Sequence, residues 1–63
     1  MKFNIENRRR AAGLTQAGLG KLIGVTPGAI ANWEVGTRNP GIETLVKLAD
    51  IFGCKVDDLI IRN

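Results

Sequence analysis

Sixty-three residues, with Lys+Arg 9 against Asp+Glu 6, no histidine and a single cysteine, leave room for one small domain over residues 1–63. That composition excludes an internal disulfide, argues against a zinc centre, and leads us to expect no metal, cofactor or small-molecule ligand. A chain this short buries only about 60% of the surface its unfolded form exposes, so oligomerisation is the stabilising device left to it. The basic excess, a formal +3, permits a polyanionic partner. The start, MKFNIENRRR, lacks the apolar core of a signal peptide, and no run approaches a membrane span. With a free thiol, this predicts a cytoplasmic protein.

Taken in order, Met1 and Lys2 are expected to fray. Asn4 is the N-cap of a first helix, with Glu6 in its first turn, where the helix dipole favours negative charge. Ile5, Arg9 and Ala12 fall at i, i+4 and i+7 and define an inward stripe. Gly13 ends this helix in left-handed conformation, with Leu14 folding back. An arginine on a buried stripe needs a partner, because an unpaired buried charge is costly.

Helix two is predicted from Gln16 to Ile23, capped by Thr15, with Leu19 and Ile23 on its apolar face. Gly18 and Gly20 lie inside it, each costing about 1 kcal/mol relative to alanine. Gly20 is read as allowing the next helix to approach closely. Gly18 stands where a capping box would place glutamate, and the sequence offers no reason for it. Gly24-Val25-Thr26 then supplies a stop, an apolar plug and a cap, the grammar of a helix-turn-helix. Helix three has Pro27 at its first position, buries Ile30 and Trp33, and runs to Val35 before Gly36. After the turn-rich loop from Thr37 to Gly41, helix four runs from Ile42 to Phe52, its inner face made of Leu45, Leu48, Ala49 and Phe52. Gly53 closes it, and a last helical turn from Val56 to Ile60 completes an all-α bundle of five short helices. No alternating strand pattern is present.

The order and spacing of Gly13-Leu14-Thr15-Gln16, Leu19, Ile23-Gly24-Val25-Thr26, Ile30, Trp33-Glu34, Gly36, Arg38-Asn39-Pro40 and Glu43 to Ala49 resemble the lambda-repressor-like (XRE or phage Cro/C-repressor) helix-turn-helix proteins over essentially the whole chain. The resemblance implies that helix three reads the major groove of double-stranded DNA while helix two crosses the backbone. It implies that Arg9 pairs with Glu34, and that Gln16 binds the DNA backbone and braces the recognition helix. It also implies a homodimer formed through the C-terminal end.

With Ile30 and Trp33 inward, helix three presents Pro27, Gly28, Ala31, Asn32 and Val35. Asn32 alone has the paired donor and acceptor for bidentate readout of adenine. Ala29 and Ala31 offer methyl contacts to thymine, and Pro27 and Gly28 offer close approach, so DNA shape is expected to carry much of the preference. Phosphate contacts are assigned to Gln16 and Thr15 at one helix start, to Thr26, to Thr37, Arg38 and Asn39 before helix four, and to Arg10. Arg8 and Lys21 are read as solvated charges. Trp33 is read as a core anchor and Cys54 as a small apolar residue with no histidine to activate it. Leu59, Ile60 and Ile61 are assigned to the dimer interface, although Val56 and Leu59 also suit the core.

These residues predict a sequence-specific transcriptional regulator of phage or prophage type, acting as a repressor on a palindromic operator. An antitoxin repressing its own operon, or an interaction module that has lost DNA binding, are the alternatives. A toxin or antirepressor is a possible protein partner, and no membrane contact is expected. Lacking histidine, tyrosine and paired carboxylates in a cleft, the chain is not read as an enzyme.

Overall fold

The computed structural model describes residues 2–61. Two hydroxyls set the helix starts of the central pair. Thr15 Oγ1 accepts a hydrogen bond from the Gly18 N–H at 2.9 Å and opens α2, Gln16–Ile23. Thr26 Oγ1 does the same for the Ala29 N–H at 3.2 Å and opens α3, Pro27–Val35. Each satisfies an N–H that the helix itself leaves unpaired. Gly24 ends α2 at φ 80°, a left-handed conformation that turns the chain at once into the next cap. The cap also accounts for Gly18, because a Cβ there would stand 3.2 Å from Thr15 Oγ1, tighter than ordinary contact.

α1 spans Ile5–Ala11 and α4 spans Ile42–Phe52. Ile5, Leu19, Ile30, Leu48 and Leu59 are fully buried between them, and Phe3, Trp33, Leu45 and Ala49 complete the core. Phe52, expected on the inner face of α4, is half-buried at its rim, and Cys54 packs there too. Ala12 is exposed because α1 has ended one residue earlier, so the inward stripe of α1 is Ile5 and Arg9 alone. Asn4 occupies the N-cap position without a side-chain bond; its backbone N–H instead donates to Leu59 O at 2.8 Å.

That bond marks the main departure from the expected bundle. The chain ends are tied together by a two-stranded antiparallel sheet, β1 (Lys2–Phe3) against β2 (Ile60–Ile61), with Lys2 opposite Ile61 and Phe3 opposite Ile60. Lys2 is therefore not frayed, whereas Met1 lies outside the described residues. The fifth helix is a 3₁₀ turn, Val56–Leu59, whose start is capped by Asp58 Oδ2 accepting the Lys55 N–H at 3.0 Å. It stops before Ile60 because two successive β-branched residues favour extended backbone. Four α-helices and this turn thus replace five helices. Leu59 is wholly buried and presents no surface to a second subunit, and Ile60 is half-buried against the core. Of the three interface candidates only Ile61, 42% exposed, stays on the surface. Among the described residues no helix is long and apolar enough to cross a membrane.

Candidate nucleic-acid interface

α2 packs more extensively against α3 than any other pair of elements. A buried polar cluster locks the two to α1. Arg9 Nε donates to Glu34 Oε2 at 2.7 Å and Nη2 to Glu34 Oε1 at 3.3 Å, so the guanidinium fork meets the carboxylate with two bonds. Arg9 Nη1 donates to Leu14 O at 2.9 Å, holding the turn between α1 and α2. Gln16 Nε2 donates to Glu34 Oε1 at 3.0 Å, which joins the start of α2 to the end of α3. The ion pair is nearly dry, with side-chain exposures of 9% and 5%. This is the pairing the resemblance implies, and it satisfies the arginine on the inward stripe of α1.

The cluster shifts both titrations. Burial pushes the Glu34 carboxyl up, but the hydrogen bonds from Arg9 and Gln16 and the charges of Arg9 and Arg10 outweigh it and hold the group below the ordinary glutamate range. The Glu34 hydrogen bond raises Arg9, against burial and with the further help of the Glu34 and Glu6 charges. A carboxyl depressed in the folded state is protonated first in the unfolded chain. Its stabilisation is therefore complete above the unfolded value of about 4.3 and is lost as pH falls through the lower folded value. Chemical unfolding of the wild type between pH 7 and pH 2 should show that loss, and Glu34→Gln, already weakened at pH 7, should lose less on acidification. Equal acid slopes in the two proteins would contradict it.

On α3, Pro27, Gly28 and Val35 are exposed, and Ala31 and Asn32 are half-buried. Ala29, expected to reach thymine methyls, instead packs partly against the core. Asn32 is held by the loop that follows. Thr37 Oγ1 lies 3.2 Å from Asn32 Oδ1, and the Thr37 N–H donates to Asn32 O at 3.0 Å. The Thr37 N–H is thus spent on Asn32, while its exposed hydroxyl lies within reach of both Asn32 O and Asn32 Oδ1. No sequence pattern marks this link; a threonine directly after the glycine that ends α3 is its only trace.

The other phosphate candidates keep their donors. Thr15 and Thr26 are exposed, and each hydroxyl accepts its capping bond and retains its proton. Gln16 spends one amide N–H on Glu34, which leaves the second N–H and its oxygen. Arg38 and Asn39 are exposed beside the start of α4, anchored by buried Pro40. Arg10 pairs with Glu6 at 2.8 Å across one exposed turn, a bond worth only a few tenths of a kcal/mol and easily exchanged for a phosphate.

A helix-turn-helix family model matches residues 5–59, from the first residue of α1 to the end of the 3₁₀ turn. The chain belongs to the helix-turn-helix family. Its relatives include repressor protein C2 of Salmonella phage P22, 38% identical over 60 residues, which cover 95% of this chain and 28% of that protein. An uncharacterised HTH-type transcriptional regulator of Archaeoglobus fulgidus is 34% identical over 61 residues, 97% of this chain and 87% of that protein. The crystal structure of the P22 c2 repressor with a synthetic operator superposes with a TM-score of 0.78, at 38% identity, over 84% of this chain and 80% of that one. The chain therefore spans less than a third of the whole P22 protein but most of the archaeal regulator. This is a DNA-binding transcriptional regulator of the helix-turn-helix type, and its α2–α3 pair is the motif.

Proposed function

We propose that the chain is a sequence-specific repressor in the cytoplasm, acting as a homodimer that sets two α3 helices into successive major grooves of a palindromic operator, about 34 Å apart. The observation that carries this reading is the Arg9–Glu34–Gln16 cluster. It rigidly orients α3 and holds at the start of α2 a glutamine with hydrogen-bonding capacity to spare. Gln16, Thr15, Thr26, Arg38, Asn39 and Arg10 then supply phosphate contacts along both flanks of α3. Pro27, Gly28 and Ala31 let the helix approach closely, and Asn32 reaches the bases. Ile61 and the outer part of Ile60 serve the dimer contact. The small outward face of α3 favours one rival, a protein-interaction module without DNA affinity.

Sites selected from random duplexes, followed by affinity against salt, distinguish the two. A repressor gives an enriched palindrome and a steep negative log–log slope from released counterions. Arg38→Ala should lower that slope by about 1, and Asn32→Ala should relax base preference with the slope nearly unchanged. A flat salt dependence with no enriched site would establish the interaction module.

A further inference from the structure

We propose that Lys2 is a DNA phosphate contact, held beside Arg38 at the end of α3 by the strand pairing of the chain ends. This rests on the reading of Arg38 as a phosphate-binding residue and adds a second cation at the same place. Local sequence gives Lys2 no role, because the first residues of a chain are expected to fray. The fold gives it a fixed position. In the antiparallel pair, Phe3 and Ile60 lie opposite each other and pack on the core, Phe3 with 7% exposure. Alternation along the strands then sets Lys2 and its opposite neighbour Ile61 together on the outer face, where both are exposed. The Lys2 stem runs alongside Gly36, the left-handed residue that ends α3: a Cβ built there would lie 3.9 Å from Lys2 Cγ. Beyond Cγ, two methylenes and the ammonium remain to carry the charge past the helix end into solvent.

Arg38 follows Gly36 by two residues, so its Cα lies within about 7 Å of that glycine. Lys2 and Arg38, remote in the chain, thus flank one helix terminus. Both are exposed, and neither has an ion-pair partner among the described residues. The fold has brought two like charges together, and the carbonyl end of α3, with about half a negative charge, balances only part of them. A phosphodiester supplies the rest. The dimensions fit DNA. With nine residues α3 is about 13 Å long, and the major groove is about 12 Å wide. A helix that meets base edges with its first turns therefore brings its last turn to the backbone that walls the groove.

The test measures affinity against salt for wild type, Lys2→Gln, Lys2→Arg, Arg38→Ala and the double variant Lys2→Gln with Arg38→Ala, on the selected operator and on a random duplex. Lys47→Gln, at an exposed lysine of α4, controls for the change in net charge. Lys2→Gln should lower the log–log slope by about 1 and weaken both duplexes alike, by roughly five- to tenfold at about 0.1 M salt. The double variant should lower the slope by about 2. Lys2→Arg and Lys47→Gln should keep the wild-type slope. A Lys2→Gln variant with the wild-type slope overturns the proposal; if it also unfolds at lower urea, the lysine serves the helix terminus and not DNA. Equal losses in Lys2→Gln and Lys47→Gln overturn it as well, since they report net charge alone. If Arg38→Ala leaves the slope intact, the reading of Arg38 has failed, and the two-cation seat falls with it by a separate signature.

Discussion

Arg9→Ala should cost the fold about 3–5 kcal/mol, measured as the loss of unfolding free energy in urea. For a chain of 63 residues, total stability is on the order of 3–9 kcal/mol, so the variant should lose at least about a third of it. The magnitude comes from what is left behind. Glu34 would keep a carboxylate with 5% exposure and lose a two-bond partner, and Leu14 O would lose its donor. Glu34→Ala should do similar damage by stranding the guanidinium. Replacing both groups tests the mechanism. Arg9→Met with Glu34→Leu removes the charges together, and buried ion pairs exchanged for apolar residues of similar size are often neutral or stabilising. The double variant should therefore recover most of the lost stability. It should not recover tight DNA binding, because Gln16 would have no carboxylate to hold it. A single substitution costing less than about 1 kcal/mol, or a double variant as unstable as the singles, would show that the pair is not the brace described.

Gly20→Ala should destabilise by about 2 kcal/mol, against the usual gain of about 1 kcal/mol for alanine within a helix. A Cβ at Gly20 would lie 2.5 Å from Val25 O and 3.4 Å from the Thr26 carbonyl carbon. Both are backbone atoms of the turn into α3, and neither can swing aside as a side chain would. The turn must move, and α3 with it. Val25 N and Gly24 N both donate to Gly20 O, at 2.9 and 2.8 Å, so the displaced segment also loses bonding geometry. For a domain of this size a change of about 2 kcal/mol lowers Tm by roughly 10 °C. Gly28→Ala is the control. Its Cβ would meet only Thr26 Oγ1 at 3.8 Å, so it should be neutral or slightly stabilising. If Gly20→Ala melts no earlier than Gly28→Ala, the close approach is not what selects glycine. The partner in that approach is the turn itself rather than the body of the next helix, as the sequence alone suggested.

The helices were legible because their signals are local. Thr15, Gly24, Thr26, Pro27 and Gly36 act within one turn of themselves, and the boundaries of α2 and α3 follow from caps and left-handed stops. The short sheet was not legible. Two-residue strands contain no alternation to detect, and their pairing joins Lys2 to Ile61 across almost the whole chain. The same blindness led Ile60 to be read as surface, since a helical turn there buries Val56 and Leu59 and leaves Ile60 or Ile61 without a partner. For DNA contact, residue types marked Asn32, Gln16 and Arg38 as candidates. They did not reveal which of their atoms were already spent.

What the sequence determined by itself is the motif: two helices, a tight turn of defined chemistry, and an inward arginine that demanded an acid. Each of those depends on neighbours within a few residues, or on a charge that cannot be buried alone. Tertiary structure alone decided which donors and acceptors remain for DNA. Glu34 takes one N–H of Gln16, and the Thr37 hydroxyl lies within hydrogen-bonding reach of Asn32 O and Oδ1. Hydrogen-bonding capacity is finite and is consumed by whatever the fold brings within 3 Å or so, and that accounting closes only in three dimensions.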